Sequence, residues 1–185
     1  MKEFLNNLVP KEQAKKLIAL GKQRTLAEGD YLVRAGEIPR KFAFVSSGLF
    51  RYVYINEKGM EFTKNIIEEN GFIVSYSSMI NEKASHFYIE ALEDSKIIEL
   101  KYSDWLKIKD SHPCWNTFLV QLLEHAFIIK EARERDFLLL DAPTRFQNFL
   151  QENPKLVRRA KQNIIASYLG IQPESLSRIK KKLSS

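Results

Sequence analysis

The segment QNIIASYLGIQPESLSRIKKKL, residues 162–183, leaves little freedom in how it can fold. With Gln162 as its first position, apolar side chains fall at Ile165, Leu169, Ile171, Leu176 and Ile179, a spacing that sets them on the facing sides of two short helices. Ala166 is small where a second helix would cross the first. Gly170 stands just past the first helix, where left-handed backbone is cheapest for a residue without a Cβ. Pro173 comes at the start of the second helix, where its missing N–H would have had no partner. A generic helical hairpin needs the periodic apolar residues, but not this Ala, this Gly and an exposed Gln-Pro-Glu-Ser start. The pattern predicts a helix-turn-helix.

In such a unit the second helix turns its N-terminal residues toward base edges in the major groove. Glu174, Ser175, Ser177 and Arg178 are then the readers, with Gln172 beside them. Arg178 can make a bidentate contact to guanine and Glu174 can accept from cytosine N4, whereas the two serines can reach bases or phosphate. Lys180, Lys181 and Lys182 are expected on the DNA backbone, together with the positive end of the first helix at Asn163. Charge agrees with this assignment. From residue 145 onward there are nine Lys or Arg against two acids, a local +7, so the remaining residues of a chain with net charge +6 sum to −1. A nearly neutral body with a basic end suits a polyanion, because cations at phosphates release counterions.

Ahead of this unit the texture is different. After a short amphipathic helix over 11–20 come β-rich runs such as KFAFVSSGLFRYVYINEKG and HFYIEALEDSKIIEL, with turn signals at Gly29-Asp30, Ser47-Gly48, Asn70-Gly71 and Glu93-Asp94. Short strands so closely spaced predict an antiparallel sandwich or barrel over about 22–102 rather than βαβ units. Ser103 to Lys109 reads as a short helix, and Pro113 opens a long one. Along it Phe118, Leu122, Ala126, Ile129 and Phe137 recur at steps of three and four, with Arg133 interrupting the stripe. That stripe can serve a parallel dimer or cover the sheet beside it. Asp141-Ala142-Pro143 opens a further helix, and Asn153-Pro154 closes it. The reading is α+β in three parts: a β-roll of jelly-roll type over 1–112, a dimerisation helix over 113–141, and an all-α, reduced winged helix-turn-helix domain over 142–185. Only Lys155 to Lys161 is available for a wing.

Several classes drop out. The start MKEFLNNLVPKEQAKKL has no apolar run behind its charges, and no later segment approaches a membrane span, so the chain is expected to be soluble and cytoplasmic with no membrane partner. One cysteine, Cys114, excludes an internal disulfide, a cysteine zinc cage and a four-cysteine cluster within the chain. His86, His112 and His125 share no ligand spacing, so no metal, haem or iron–sulfur cofactor is expected. No nucleophile elbow, phosphate loop or paired catalytic carboxylates stand out, and the chain reads as no enzyme.

The order β-roll, long helix, C-terminal helix-turn-helix resembles the catabolite-activator/Fnr (Crp/Fnr) family of transcription regulators. The resemblance rests on Gly29-Asp30-Tyr31-Leu32 with Gly36, on Phe44-Val45-Ser46-Ser47-Gly48, on Gly71-Phe72-Ile73, and most specifically on IASYLG followed by LSRIKKKL. It implies a homodimer on a palindromic operator in double-stranded DNA, a sensor domain that binds an effector, and RNA polymerase as a further partner. The family's cyclic-nucleotide binders place a Gly-Glu pair on the ribose and a downstream Arg on the cyclic phosphate. Alignment on Phe72-Ile73 puts Val74-Ser75 and Ser85-His86 at those places. Both charge-assisted contacts are absent from this sequence, so cyclic AMP is not the expected effector. An unidentified small molecule then has Val74, Ser75, Tyr76, Ser77, Ser85 and His86 as its candidate pocket. The competing reading is a nucleotide- or metabolite-binding sensor that docks onto a protein instead of DNA.

Overall fold

In the computed structural model, which describes residues 8–183, the run of short strands closes into two four-stranded antiparallel sheets. The strands are β1 (Lys22–Leu26), β2 (Tyr31–Val33), β3 (Lys41–Ser47), β4 (Phe50–Ile55), β5 (Glu61–Ile67), β6 (Phe72–Ile73), β7 (Tyr88–Ala91) and β8 (Ser95–Lys101). One sheet has the order β1-β8-β3-β6 and the other β2-β7-β4-β5. Every sheet neighbour except the β4–β5 hairpin is distant in sequence, as in a jelly roll rather than a meander. The helices are α1 (Lys11–Leu20), α2 (Tyr76–Ile80), α3 (Tyr102–Ile108), α4 (Cys114–Leu139), α5 (Ala142–Glu152), α6 (Leu156–Arg159), α7 (Gln162–Leu169) and α8 (Pro173–Leu183). Among the described residues no helix is long and apolar enough to cross a membrane.

Side-chain alternation along β3 explains how roll and helices share one strand. Ala43 and Val45 point between the sheets, where they meet Phe50, Ile73, Ile89 and Ile97. Phe42 and Phe44 point the other way, into a layer closed by Leu17 of α1, Trp105 of α3, and Trp115 and Phe118 of α4. Trp105 and Trp115 meet edge to face at 5.6 Å, a geometry that aromatic quadrupoles favour. The start of the long helix is thereby fixed to the roll.

A third core joins the C-terminal helices to the roll. Phe146 and Phe149 of α5, Leu156, Ile164, Ile165, Ala166, Leu169 and Leu176 bury together with Leu49 and Ile66 from the strands. Asp141 starts α5 by accepting the Thr144 backbone N–H at 2.9 Å, with Pro143 in the first turn. The segment 155–161, left by the sequence for a short wing, holds α6 instead. Burial of Leu156 and Ala160 in the third core favours a helical turn there.

Gly170 links the local and tertiary requirements. It ends α7 with φ +64°, and a Cβ built on it would lie 2.7 Å from the Phe137 ring of α4. Gly170→Ala is therefore expected to cost about 1–2 kcal/mol for the left-handed backbone, and more for the displaced ring. Urea denaturation reads this directly, and an unchanged midpoint would contradict the packing of α4 on the turn.

Candidate functional site

Leu176 of α8 is fully buried, and its position orients the helix. Gln172, Glu174, Ser177, Arg178, Lys180, Lys181 and Lys182 are all exposed around it. Ser175 is half-buried and its Oγ accepts from Arg178 Nη2 at 3.0 Å, which steadies the guanidinium on the outer face. Lys180 Nζ reaches Gln162 Oε1 at 3.4 Å, a bridge between the two helices of the motif. The predicted readers thus share one polar, basic surface. Asn163 does not join them. It lines a cleft against the roll, together with Lys161, Arg159, Glu28, Glu90 and Glu93.

The surface is held by contacts that the sequence reading missed. Ser167 of α7 accepts the Thr63 N–H at 2.8 Å and donates to the Glu61 carbonyl at 3.2 Å, so α7 covers the edge strand β5. Arg133 of α4 donates to the carbonyls of Thr63, Lys64 and Tyr168, and its guanidinium lies 4.4 Å over the Tyr168 ring and 5.0 Å from Phe137. Burial pushes its pKa down. Its interruption of an apolar stripe was the available signal. Arg159 is bound by Glu68, Glu69 and Glu93, and hydrogen bonds to Glu93 and Glu69 raise its pKa.

Two of the five dimer-helix residues, Phe118 and Leu122, are taken by the chain's own core. Phe118 is 2% exposed inside the chain's own core and Leu122 packs against that core. Phe137 lies on Gly170, and Ile129 lines an open pocket with Arg133 and Phe137. Ala126, Ile129 and Phe137 are exposed, the last two at 39%. The face of α4 that points outward carries Val120, Leu123, Phe127, Ile128, Leu138 and Leu139, which are 41–78% exposed. Its centre lies roughly half a turn from the predicted stripe, at 3.6 residues per turn. Apolar residues on more than one side of α4 made the stripe ambiguous.

In the roll, Val74, Ser75 and Ser85 come together and are buried. The Val74 N–H donates to Tyr52 Oη at 2.9 Å, the Ser75 and Ser85 hydroxyls lie 3.0 Å apart, and Ser85 Oγ donates to the Phe87 carbonyl at 2.8 Å. Tyr52 stacks on Phe87 at 5.1 Å, Tyr54 meets that ring edge-on, and Lys64 Nζ sits 4.1 Å above it. Burial, then repulsion from Lys130 and Arg133, lowers the Lys64 pKa. Tyr76 turns into the α1/α3/α4 layer, whereas Ser77 and His86 are exposed. A separate cavity of about 320 Å³ lies where β5, α4, α5 and α7 meet, walled by Phe137, Phe149, Tyr168, Asn148 and Glu152.

Residues 23–112 match the family model of the cyclic nucleotide-binding domain. Solved structures extend the likeness over the whole arrangement. The c-di-GMP-responsive global regulator CLP of Xanthomonas campestris aligns with TM-score 0.77 at 15% identity, covering 94% of this chain and 91% of that one. A CRP/FNR-family transcriptional regulator from Thermus thermophilus gives 0.72 at 16% identity, over 88% of this chain and 86% of that one. The fold is that of the CRP/FNR family. The catabolite activator protein of the same organism shares this CRP/FNR fold at TM-score 0.61 and 20% identity, covering 98% of this chain and 86% of that one. No curated protein matches the sequence.

Docking of the C-terminal helices on the CRP/FNR roll has a pH signature. Hydrogen bonds from Arg159 hold the Glu69 carboxyl down to about 2 from an ordinary 4.5. A depressed carboxyl contributes stability that is complete above its unfolded pKa and is lost as pH falls through the folded one. Urea midpoints measured from pH 4.5 downward to about 2 should therefore fall more steeply for the parent than for Glu69→Gln. Parallel curves would mean that Glu69 adds nothing to docking.

Proposed function

We propose that the chain is a sequence-specific, homodimeric DNA-binding transcription regulator. The observation that carries this reading is α8: one apolar anchor, Leu176, is buried while Glu174, Ser177, Arg178 and three lysines share the outer face. A basic helix shown to solvent by a helix-turn-helix is suited to the major groove, with Arg178 toward guanine and the lysines toward phosphate. The outward stripe of α4 supports the dimer. Val120, Leu123 and Phe127 stand at the spacing of a coiled-coil contact, Leu138 lies on the same side beyond the charged positions Glu131 and Glu134, and exposed apolar side chains of this size are unfavourable on an isolated chain. Two copies joined there place two α8 helices on half-sites about 34 Å apart.

The sensor in this reading is not tuned to a cyclic nucleotide. Ser75 and Ser85 satisfy each other, and Tyr52, Phe87 and the Lys64 ammonium occupy the adjoining space, so neither a carboxylate for the ribose nor a free guanidinium for the phosphate is offered. Its effector, in this reading, is another small molecule.

Two measurements test the proposal. For a duplex selected from a random library, Arg178→Ala should weaken binding by about 1–3 kcal/mol and Lys181→Ala should lower the salt slope by about one. Equal retention of duplex by the double variant and the parent would overturn DNA reading in favour of docking onto a protein. Separately, Phe127→Glu should convert a dimer into monomers in sedimentation equilibrium. A parent that sediments as a monomer would refute the α4 seam.

A further inference from the structure

The basic edge that leads into the helix-turn-helix is engaged by the roll, with Arg159 half-buried and Lys161 and Asn163 exposed beside it. Lys161, Asn163 and Arg159 line a cleft of about 740 Å³ whose opposite wall carries Glu28, Glu61, Glu90 and Glu93. Arg159 donates to both carboxylate oxygens of Glu69 at 2.8 and 2.9 Å, to both of Glu93 at 2.6 and 3.3 Å, and to Glu68 at 3.3 Å. Lys161 Nζ meets Glu28 at 2.8 Å. These are the groups at the first-helix end of the motif, where a duplex would place its phosphates. In this conformation Arg159 and Lys161 meet carboxylates instead.

The charge count separates a gate from an ordinary salt bridge. Across the junction six carboxylates, those of Glu28, Glu61, Glu68, Glu69, Glu90 and Glu93, face three cations, Arg51, Arg159 and Lys161. Arg51 is itself held by Glu61 and Glu90 at 2.7 Å within the roll. The docked junction is therefore net negative, and it repels a phosphate backbone while it occupies the cations that would bind one. The α8 face stays exposed, so docking withholds the phosphate contacts without hiding the base-reading residues.

We propose that the acidic lip of the roll, formed by Glu28, Glu68, Glu69 and Glu93, is an autoinhibitory surface that competes with duplex DNA for Arg159, Lys161 and the start of α7. The proposal rests on the DNA-binding reading above and adds a closed state to it. Opening frees the basic edge, and any effector that lifts the C-terminal helices from the lip raises DNA affinity.

The test uses the full chain and two independent readouts. Glu69→Gln with Glu93→Gln removes the grip on Arg159, while the amide oxygen introduced by the first substitution can still accept the Gly48 N–H that Glu69 now accepts at 2.8 Å. Trypsin should cut after Arg158, Arg159 or Lys161 faster in this variant than in the parent. Duplex retention at low salt should tighten about fivefold or more, in the usual range of coupling between sites. The pair Glu12→Gln and Glu82→Gln, which removes as much charge from exposed sites away from the lip, should leave both readouts where they were. Unchanged tryptic cleavage would overturn the closed state. Faster cleavage without tighter retention, in a chain whose parent does bind duplex, would overturn the gate but leave DNA reading intact. Faster cleavage with no duplex retained by parent or variant would refute DNA reading, and the gate with it.

Discussion

Arg133 carries its guanidinium from the C-terminal third of α4 to the carbonyl oxygens of Thr63, Lys64 and Tyr168, and so ties the long helix to the edge of the roll and to the first helix of the helix-turn-helix. A half-buried cation is costly to desolvate unless its donors are used. Here backbone acceptors and the faces of Tyr168 and Phe137 take the place of water, and no acid is needed. The consequence is geometric. With Nη1 and Nη2 of Arg133 on these carbonyls, α7 lies along β5, and Ser167 pairs with the edge of the same strand. The orientation of α8 follows from the same docking, since Leu176 belongs to the core that Leu49 and Ile66 of the roll complete.

The long helix consequently serves two masters on different faces. Its inner face is taken in turn by the tryptophan layer of the roll, by the edge of β5 and by the Gly170 turn. Its outer face keeps a set of large apolar side chains in solvent. Its contacts with the rest of the chain lie toward its two ends, Trp115 to Leu122 on the roll and Ala132 to Phe137 on β5 and the Gly170 turn, while residues 123–131 between them are exposed. A cavity lies at the second of these junctions, between β5, α4, α5 and α7. Packed interfaces of this kind change between discrete arrangements rather than by degrees.

Much of this architecture was legible in the sequence. Turn residues between short runs of β-formers marked a roll over about 22–102, and the strands observed run from Lys22 to Lys101. The long helix, the Asp141 cap and the Gly170 turn were readable because each depends on residues a few positions apart. The sequence misled where one pattern had two meanings. Phe118 and Phe137 are periodic because α4 packs on its own chain, and a stripe alone does not name the surface that it covers. Four of the seven residues left for a possible wing became α6 because a buried Leu156 needed a helical turn, which no local hairpin signal opposed.

What the sequence by itself determined is the set of local units: a strand-rich roll, a long helix, and a helix-turn-helix whose glycine, proline and apolar spacing specify it within 22 residues. The tertiary structure alone decided how they face one another. Which side of α4 is spare, which pocket residues the roll buries, and that Arg159 meets Glu68, Glu69 and Glu93 all depend on partners far apart along the chain, such as Thr63 and Ser167 at a separation of 104 residues. Contacts of that range leave no periodicity and no turn signal, because nothing in the intervening backbone is constrained to bring them together until the cores have formed.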